Sequence, residues 1–334
     1  MQAMRASGAG TSALQHQGAV ASLVGEQARR RLEEEVGVLV PPAQHNPHKR
    51  VPCDMAGRAL DIVIAYYEED AATLINWLDH VMGESSLASL PTCVWVYHKG
   101  TAPLPGLMEQ LPQADYFVVL PNIGREGHSY LAHLTSQYGA LAPHTLFTQG
   151  VPNNYDRHFR TTLHHFKRQC TEFLCLGSLD KCSCANCGHY KVRMGQLASL
   201  YKTGMGVNCS RHFRSCQEGQ FLVSRGRIAH HSLATWSRLT AYLEAGPGHW
   251  INDEFLNDAN WQGTPQENEA QKAELESNML SRDSTYFLHV LERAWSPLFR
   301  CVHADMSPLR IVSDAAETGM FKLKVQHCGC HGGK

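Results

Sequence analysis

Apolar and polar positions follow two rhythms in the middle of the chain. From Asp61 to Tyr67 the run DIVIAYY is β-branched and aromatic and predicts a strand. The segment EEDAATLINWLDHVM then places Leu74, Trp77, Leu78 and Val81 at helical intervals. The pair repeats: CVWVYH predicts a strand, LPGLMEQL a short helix and DYFVVL a third strand. GHSYLAHLTSQYGAL sets Tyr130, Leu131, Leu134, Tyr138 and Leu141 on one helical face, and HTLFTQ follows as a fourth strand. Such alternation predicts an α/β fold: a mostly parallel twisted sheet with right-handed crossovers and helices on both faces.

Past VPNNYD the rhythm breaks. DRHFRTTLHHFKRQC carries Phe159, Leu163 and Phe166 at helical spacing, and the Cys-rich segment 170–216 reads as an insertion. Regularity returns with QFLVSR as a strand, SLATWSRLTAYLEA as an amphipathic helix and STYFLHVLERAWSPLF as a last helix. Residues 1–58, rich in Ala, Gly, Gln and Pro, predict a mostly disordered leader with one short exposed helix. The α/β domain is expected over 59–304, with an irregular tail over 305–334.

Composition narrows the partners. With 43% hydrophobic residues the chain can build a real core, and 30 basic against 31 acidic residues leave no global field for nucleic acid or an anionic membrane. No run approaches the roughly 20 apolar residues of a membrane helix, and the opening MQAMRASGAGTSALQHQG lacks the apolar block of a signal peptide. A soluble protein is expected, with a Golgi or secretory setting if an anchor lies outside this sequence.

The polar residues that stand out fall directly after predicted strands, where an open parallel sheet gathers its loops at one edge and binds ligands. Glu69 and Asp70 follow the first strand, and Lys99 the second. The acidic pair can hold a metal or a sugar, or can serve the dipole of the helix it precedes. In PNIGREGHSYL, Gly124 and Gly127 permit a tight turn with positive φ, and the helix beyond offers free N–H groups beside Arg125. Arg125 can fork onto a diphosphate while Asn122 and Glu126 orient a sugar hydroxyl. The same residues also read as helix caps and a local ion pair. Gln149 and Gly150 end an apolar strand, and the Gln149 amide can both donate and accept, as a hydroxyl-rich ligand demands. His158 is a candidate base, although most of the 20 histidines must be ordinary surface or core residues.

Seven of the twelve cysteines lie between Cys170 and Cys216. Cys182, Cys184, Cys187 and His189 form CxCxxCxH, which suits a structural zinc; disulfides in a secretory compartment are the alternative.

Five blocks occur in order over about residues 60–300: IVIAYYEED followed by Trp77, PNIGREGHSYLAHL, TLFTQG, QFLVSRGRI and LERAWSPLF. Together they resemble an uncharacterised domain family of fungi and algae. That family's layout resembles nucleotide-sugar glycosyltransferases of the GT-A fold, whose largely parallel sheet binds the donor diphosphate at its strand ends. NIGRE is similar to the NxGRD element of some bacterial polysaccharide glycosyltransferases and carries over to Asn122, Gly124, Arg125 and Glu126. The resemblance implies sugar transfer from a nucleotide-sugar donor to a glycan or small-molecule acceptor.

One departure matters. Metal-dependent GT-A enzymes end the central strand in an acidic DxD pair that holds Mn²⁺ or Mg²⁺, and here FTQG stands in its place. Either Arg125 and Lys99 carry the diphosphate charge without a metal, or the donor is of another kind. Glu292, one turn before Trp295, is a candidate base or a buried partner of Arg225, itself a candidate substrate contact. A non-catalytic carbohydrate- or protein-binding module and a zinc-containing protein are the alternatives.

Overall fold

Seven-residue runs of β-branched and aromatic side chains dictate the centre of the molecule. In a computed structural model, which describes residues 53–151, 159–183, 213–245, 249, 286–301, 307–310 and 324–328, they form β1 (Leu60–Tyr66) and β2 (Thr92–His98), both buried along their whole length. With β3 (Tyr116–Val119) and β4 (His144–Gln149) they make a parallel half-sheet in the order β3-β2-β1-β4. Helices α1 (Ala71–Gly83) and α2 (Leu104–Gln110) cross one face, and α3 (Arg125–Ser136) crosses the other. The expected side chains of α1, Leu74, Trp77, Leu78 and Val81, are the ones it buries. Strand order therefore reverses between β1 and β4, the place where the crevice of an open α/β sheet forms.

Beyond β4 the sheet changes character. The remaining strands are β5 (Phe173–Cys175), β6 (Leu179–Cys182), β7 (Phe213–Cys216), β8 (Phe221–Ser224), β9 (Ser307–Arg310) and β10 (Lys324–Cys328). The order continues β4-β8-β5-β10-β9 with every pairing antiparallel, while β6 and β7 form a separate ribbon. The expected mostly parallel sheet is thus mixed, because the helical crossovers that parallel strands need stop after β4. The predicted helix around Phe159, Leu163 and Phe166 is only the single turn α4 (Arg160–Leu163), and those three side chains join the core on the α1 side.

Two expectations about segments change as well. The Cys-rich region is not a free insertion, since β5 lies inside the main sheet and the Cys175–Cys216 disulfide ties it to β7. The tail expected to be irregular supplies β9 and β10, whose order comes from pairing onto β5 rather than from a pattern of their own. Residue 53 is fixed to β2 by the Cys53–Cys93 disulfide, while residues 1–52 of the predicted leader lie outside the described residues.

The remaining helices are α5 (Arg225–Ile228), α6 (Leu233–Glu244) and α7 (Tyr286–Leu298). With α3, α6 and α7 pack over the second face, centred on Tyr130, Phe147, Phe221 and Trp295. Covered by both neighbours, α3 is buried from Gly127 to Leu134, including the polar His128, Ser129 and His133.

Candidate functional site

Register places the ends of the parallel strands level: Tyr66 lies opposite His98, and Ala65 opposite Gln149. Their loops interlock. A Cβ on Gly100 would come 1.9 Å from the Tyr67 carbonyl, and Thr101 donates to Glu68 Oε1 at 3.0 Å. Across the reversal point Gly150 abuts the Glu69 carboxylate, whose Oε2 accepts from the Tyr67 N–H at 2.7 Å. The Glu69, NIGRE and Gln149 segments therefore share one edge of the sheet.

The NIGRE turn is built on two consecutive left-handed residues, Gly124 (φ 57°) and Arg125 (φ 40°). For arginine this conformation costs about 1–2 kcal/mol. Lys99 holds the turn from below: it is almost buried, and its ammonium donates to the carbonyls of Ile123 and Arg125. Burial pushes its pKa down to about 7, partly offset by nearby Glu126. Lys99 thus fastens the turn rather than facing a diphosphate. Gly124 is the N-cap of α3 and offers no side-chain hydrogen bond, while the Glu126 carboxylate accepts from its own N–H in the first turn. The Arg125 side chain is exposed and has no ion pair among the described residues.

Behind the turn lies a group of carboxylates. Gly219, in the β7–β8 loop at φ 61°, packs on Glu126: a Cβ there would lie 3.1 Å from Glu126 Cγ and 3.5 Å from the Tyr130 ring. The neighbouring Glu218 N–H donates to Glu292 Oε1 at 2.9 Å, joining α7 to the same loop. Burial, followed by the Glu292 charge, raises Glu126 to about 7. Burial likewise raises Glu218, and Glu292 adds to it. Beneath them the Tyr130 hydroxyl is fully buried and has no hydrogen-bond partner among the described residues. Its pKa is driven well up by burial and then by the charges of Glu126, Glu292 and Glu69. Alternation along β4 turns Gln149 to the same face as Phe147, which packs on Tyr130.

Other predicted residues go elsewhere. Asp70 is the N-cap of α1, accepting from the Thr73 N–H at 2.8 Å and from its hydroxyl at 2.6 Å, so it serves the helix. Arg225 is a correction: β8 runs antiparallel to β4, Ser224 lies opposite His144, and Arg225 therefore sits at the other end of the sheet. There its N–H donates to the Pro143 carbonyl, and it cannot partner Glu292. Glu292 instead lies 3.5 Å from Arg293 and 4.0 Å from His289. His158 lies outside the described residues, as do Cys184, Cys187 and His189.

The zinc expectation does not survive at Cys182, which is disulfide-bonded and has no thiolate to offer. No described cysteine is free. A second grouping, Cys53, Cys93 and Asp115, fails for the same reason, since its two sulfurs are bonded to each other. No helix among the described residues is long and apolar enough to cross a membrane.

Sequence reasoning missed Tyr130, taken only as a core position, and the Glu218–Gly219 pair. The dipeptide directly before QFLVSR was the available signal, because glycine ahead of a strand marks a turn that can approach another backbone closely. No family model matches the chain, and no curated protein sequence does.

Proposed function

We propose that the strand-end crevice binds a nucleotide-sugar and transfers its sugar to an acceptor hydroxyl. The observation that carries this reading is that the strand-end loops with Glu69, the exposed Arg125 and Gln149 share one edge of the sheet, where Gly219 packs on Glu126 and the Tyr130 ring and the Glu218 N–H holds Glu292. The start of α3, whose N-cap Gly124 has no side chain to bond its N–H groups, and the Arg125 guanidinium suit a diphosphate. Carboxylates and the Gln149 amide suit sugar hydroxyls.

In the transfer, the acceptor oxygen attacks the anomeric carbon and its proton passes to a carboxylate. The bond to phosphate breaks, and the nucleoside diphosphate leaves with the electron pair. Glu126 and Glu292 are the bases within reach of the crevice, and a base with a pKa near 7 matches its task at neutral pH. Resemblance to the fungal and algal domain family and to GT-A enzymes supports the same reading. The Cys53–Cys93 and Cys175–Cys216 disulfides support an oxidising, secretory setting.

Titration of the full chain with UDP and GDP, with and without Mn²⁺, tests the proposal. One of the two should bind, and Arg125→Ala should weaken it about tenfold. Absence of binding, or unchanged binding by the variant, overturns it. A second reading, a carbohydrate-binding module without turnover, draws support from Glu69 closing down on Gly150 and from Lys99 being engaged inside the turn. Nucleotide release from a bound nucleotide-sugar separates the two.

A further inference from the structure

The charges that face the crevice are unequal. From the β1–α1 loop comes Glu69, against Gly150; from α3 comes Glu126, against Gly219; and from α7 comes Glu292, which accepts from the Glu218 N–H. On the positive side, the Lys99 ammonium donates to the carbonyls of Ile123 and Arg125, and the Arg125 side chain is exposed. Glu292 has Arg293 and His289 beside it, whereas Glu69 and Glu126 form no ion pair among the described residues. The interior is therefore acidic, and among the described residues the buried Tyr130 hydroxyl there has no hydrogen-bond partner.

A ligand hydroxyl fits such an interior because it can accept from the phenol and donate to a carboxylate in the same position. A ligand carboxylate can only accept. It would meet like charges at short range in a partly desolvated site, where repulsion is much stronger than in water. We infer that the crevice selects a neutral, hydroxyl-rich sugar and rejects one bearing a carboxylate, an inference that rests on the sugar-transfer reading above.

Competition binding to the full chain at pH 8 tests it with UDP, UDP-glucose and UDP-glucuronate, and in parallel with GDP, GDP-mannose and GDP-mannuronate. The expected result is that a nucleoside diphosphate binds and that the uronate of its series binds at least about tenfold more weakly than the neutral sugar. Glu126→Gln should narrow that gap, and Glu69→Gln should do the same should the first variant fail to fold. Equal binding of uronate and neutral sugar, or a gap that neither variant narrows, overturns the inference while leaving the transfer reading standing. Failure of both UDP and GDP to bind removes that reading, and the inference with it.

Discussion

A Cβ placed on Gly150 would lie 2.7 Å from Glu69 Cδ, so β4 ends directly against the carboxylate that closes the β1 loop. The contact is with the far end of a flexible side chain, which can rotate away. Gly150→Ala should therefore cost less than about 1 kcal/mol in stability yet displace Glu69 from the crevice and weaken nucleotide-sugar binding. Paired measurements of urea midpoint and ligand affinity check it; a large stability loss with unchanged affinity would contradict the assigned geometry.

Gly100 behaves in the opposite way. Its missing Cβ would fall 1.9 Å from the Tyr67 carbonyl oxygen, and backbone cannot rotate aside as Glu69 can. Gly100→Ala should destabilise the fold by roughly 2–3 kcal/mol, seen as a lowered thermal midpoint. A midpoint within a degree or two of wild type would show that the two loops do not interlock as described.

The difference between these glycines marks where the sequence was legible. Long runs such as DIVIAYY and CVWVYH announce strands because each is buried on both sides of the sheet, and the helical spacing in α1 announces its buried face. Short strands carry no such signature. The three residues of β5 and the four of β8 pair antiparallel because tertiary contacts place them there, so the mixed half of the sheet could not be read from pattern. Site residues divided along the same line. Glu69, Arg125 and Glu126 were visible by their position after strands, whereas Arg225 was misplaced because the direction of β8 was unknown.

Asp61 anchors the opposite end of β1. Fully buried, it accepts from Arg58 Nε at 2.7 Å, from Trp95 Nε1 at 3.1 Å and from the Ala142 N–H at 3.3 Å. Burial works against its charge, but His133 and Arg58 outweigh that and hold its pKa below the usual carboxylate range. Asp61→Ala strips the buried Arg58 of its counter-charge and should cost roughly 3–5 kcal/mol. A urea midpoint near that of wild type would refute this role.

The Cys175–Cys216 disulfide closes a separation of 41 residues and ends three residues before Gly219. Chain-entropy reasoning gives such a closure up to about 4 kcal/mol. Replacing both cysteines with serine should lower stability by a large part of that amount and loosen the Glu218–Gly219 loop over Glu126 and Glu292. Hydrogen exchange at the Glu218 amide, which donates to Glu292 in the intact protein, should quicken more than exchange in β1. Equal change in both would mean that the bond supports the fold as a whole and not this loop.

Glu126 and Lys99 give the crevice an unusual pH signature. Burial raises Glu126 to about 7 from 4.5, so between those values the folded chain holds a proton that the unfolded chain has released. Stability from this group accordingly falls as pH rises across that window. Lys99 is lowered from 10.5 to about 7, so between these values the unfolded chain holds the extra proton and stability rises with pH. The two contributions meet in a minimum near neutrality. Glu126→Gln removes the acid limb only, and the loss of its negative charge pushes Lys99 lower still. Subtracting wild-type from variant stabilities at successive pH values should give a difference near zero at pH 4 that grows to roughly 1–2 kcal/mol in the variant's favour by pH 8. A difference curve flat from pH 4 to 8 would mean that Glu126 is solvated like a surface carboxylate, and the desolvated chamber around Tyr130 would have to be abandoned.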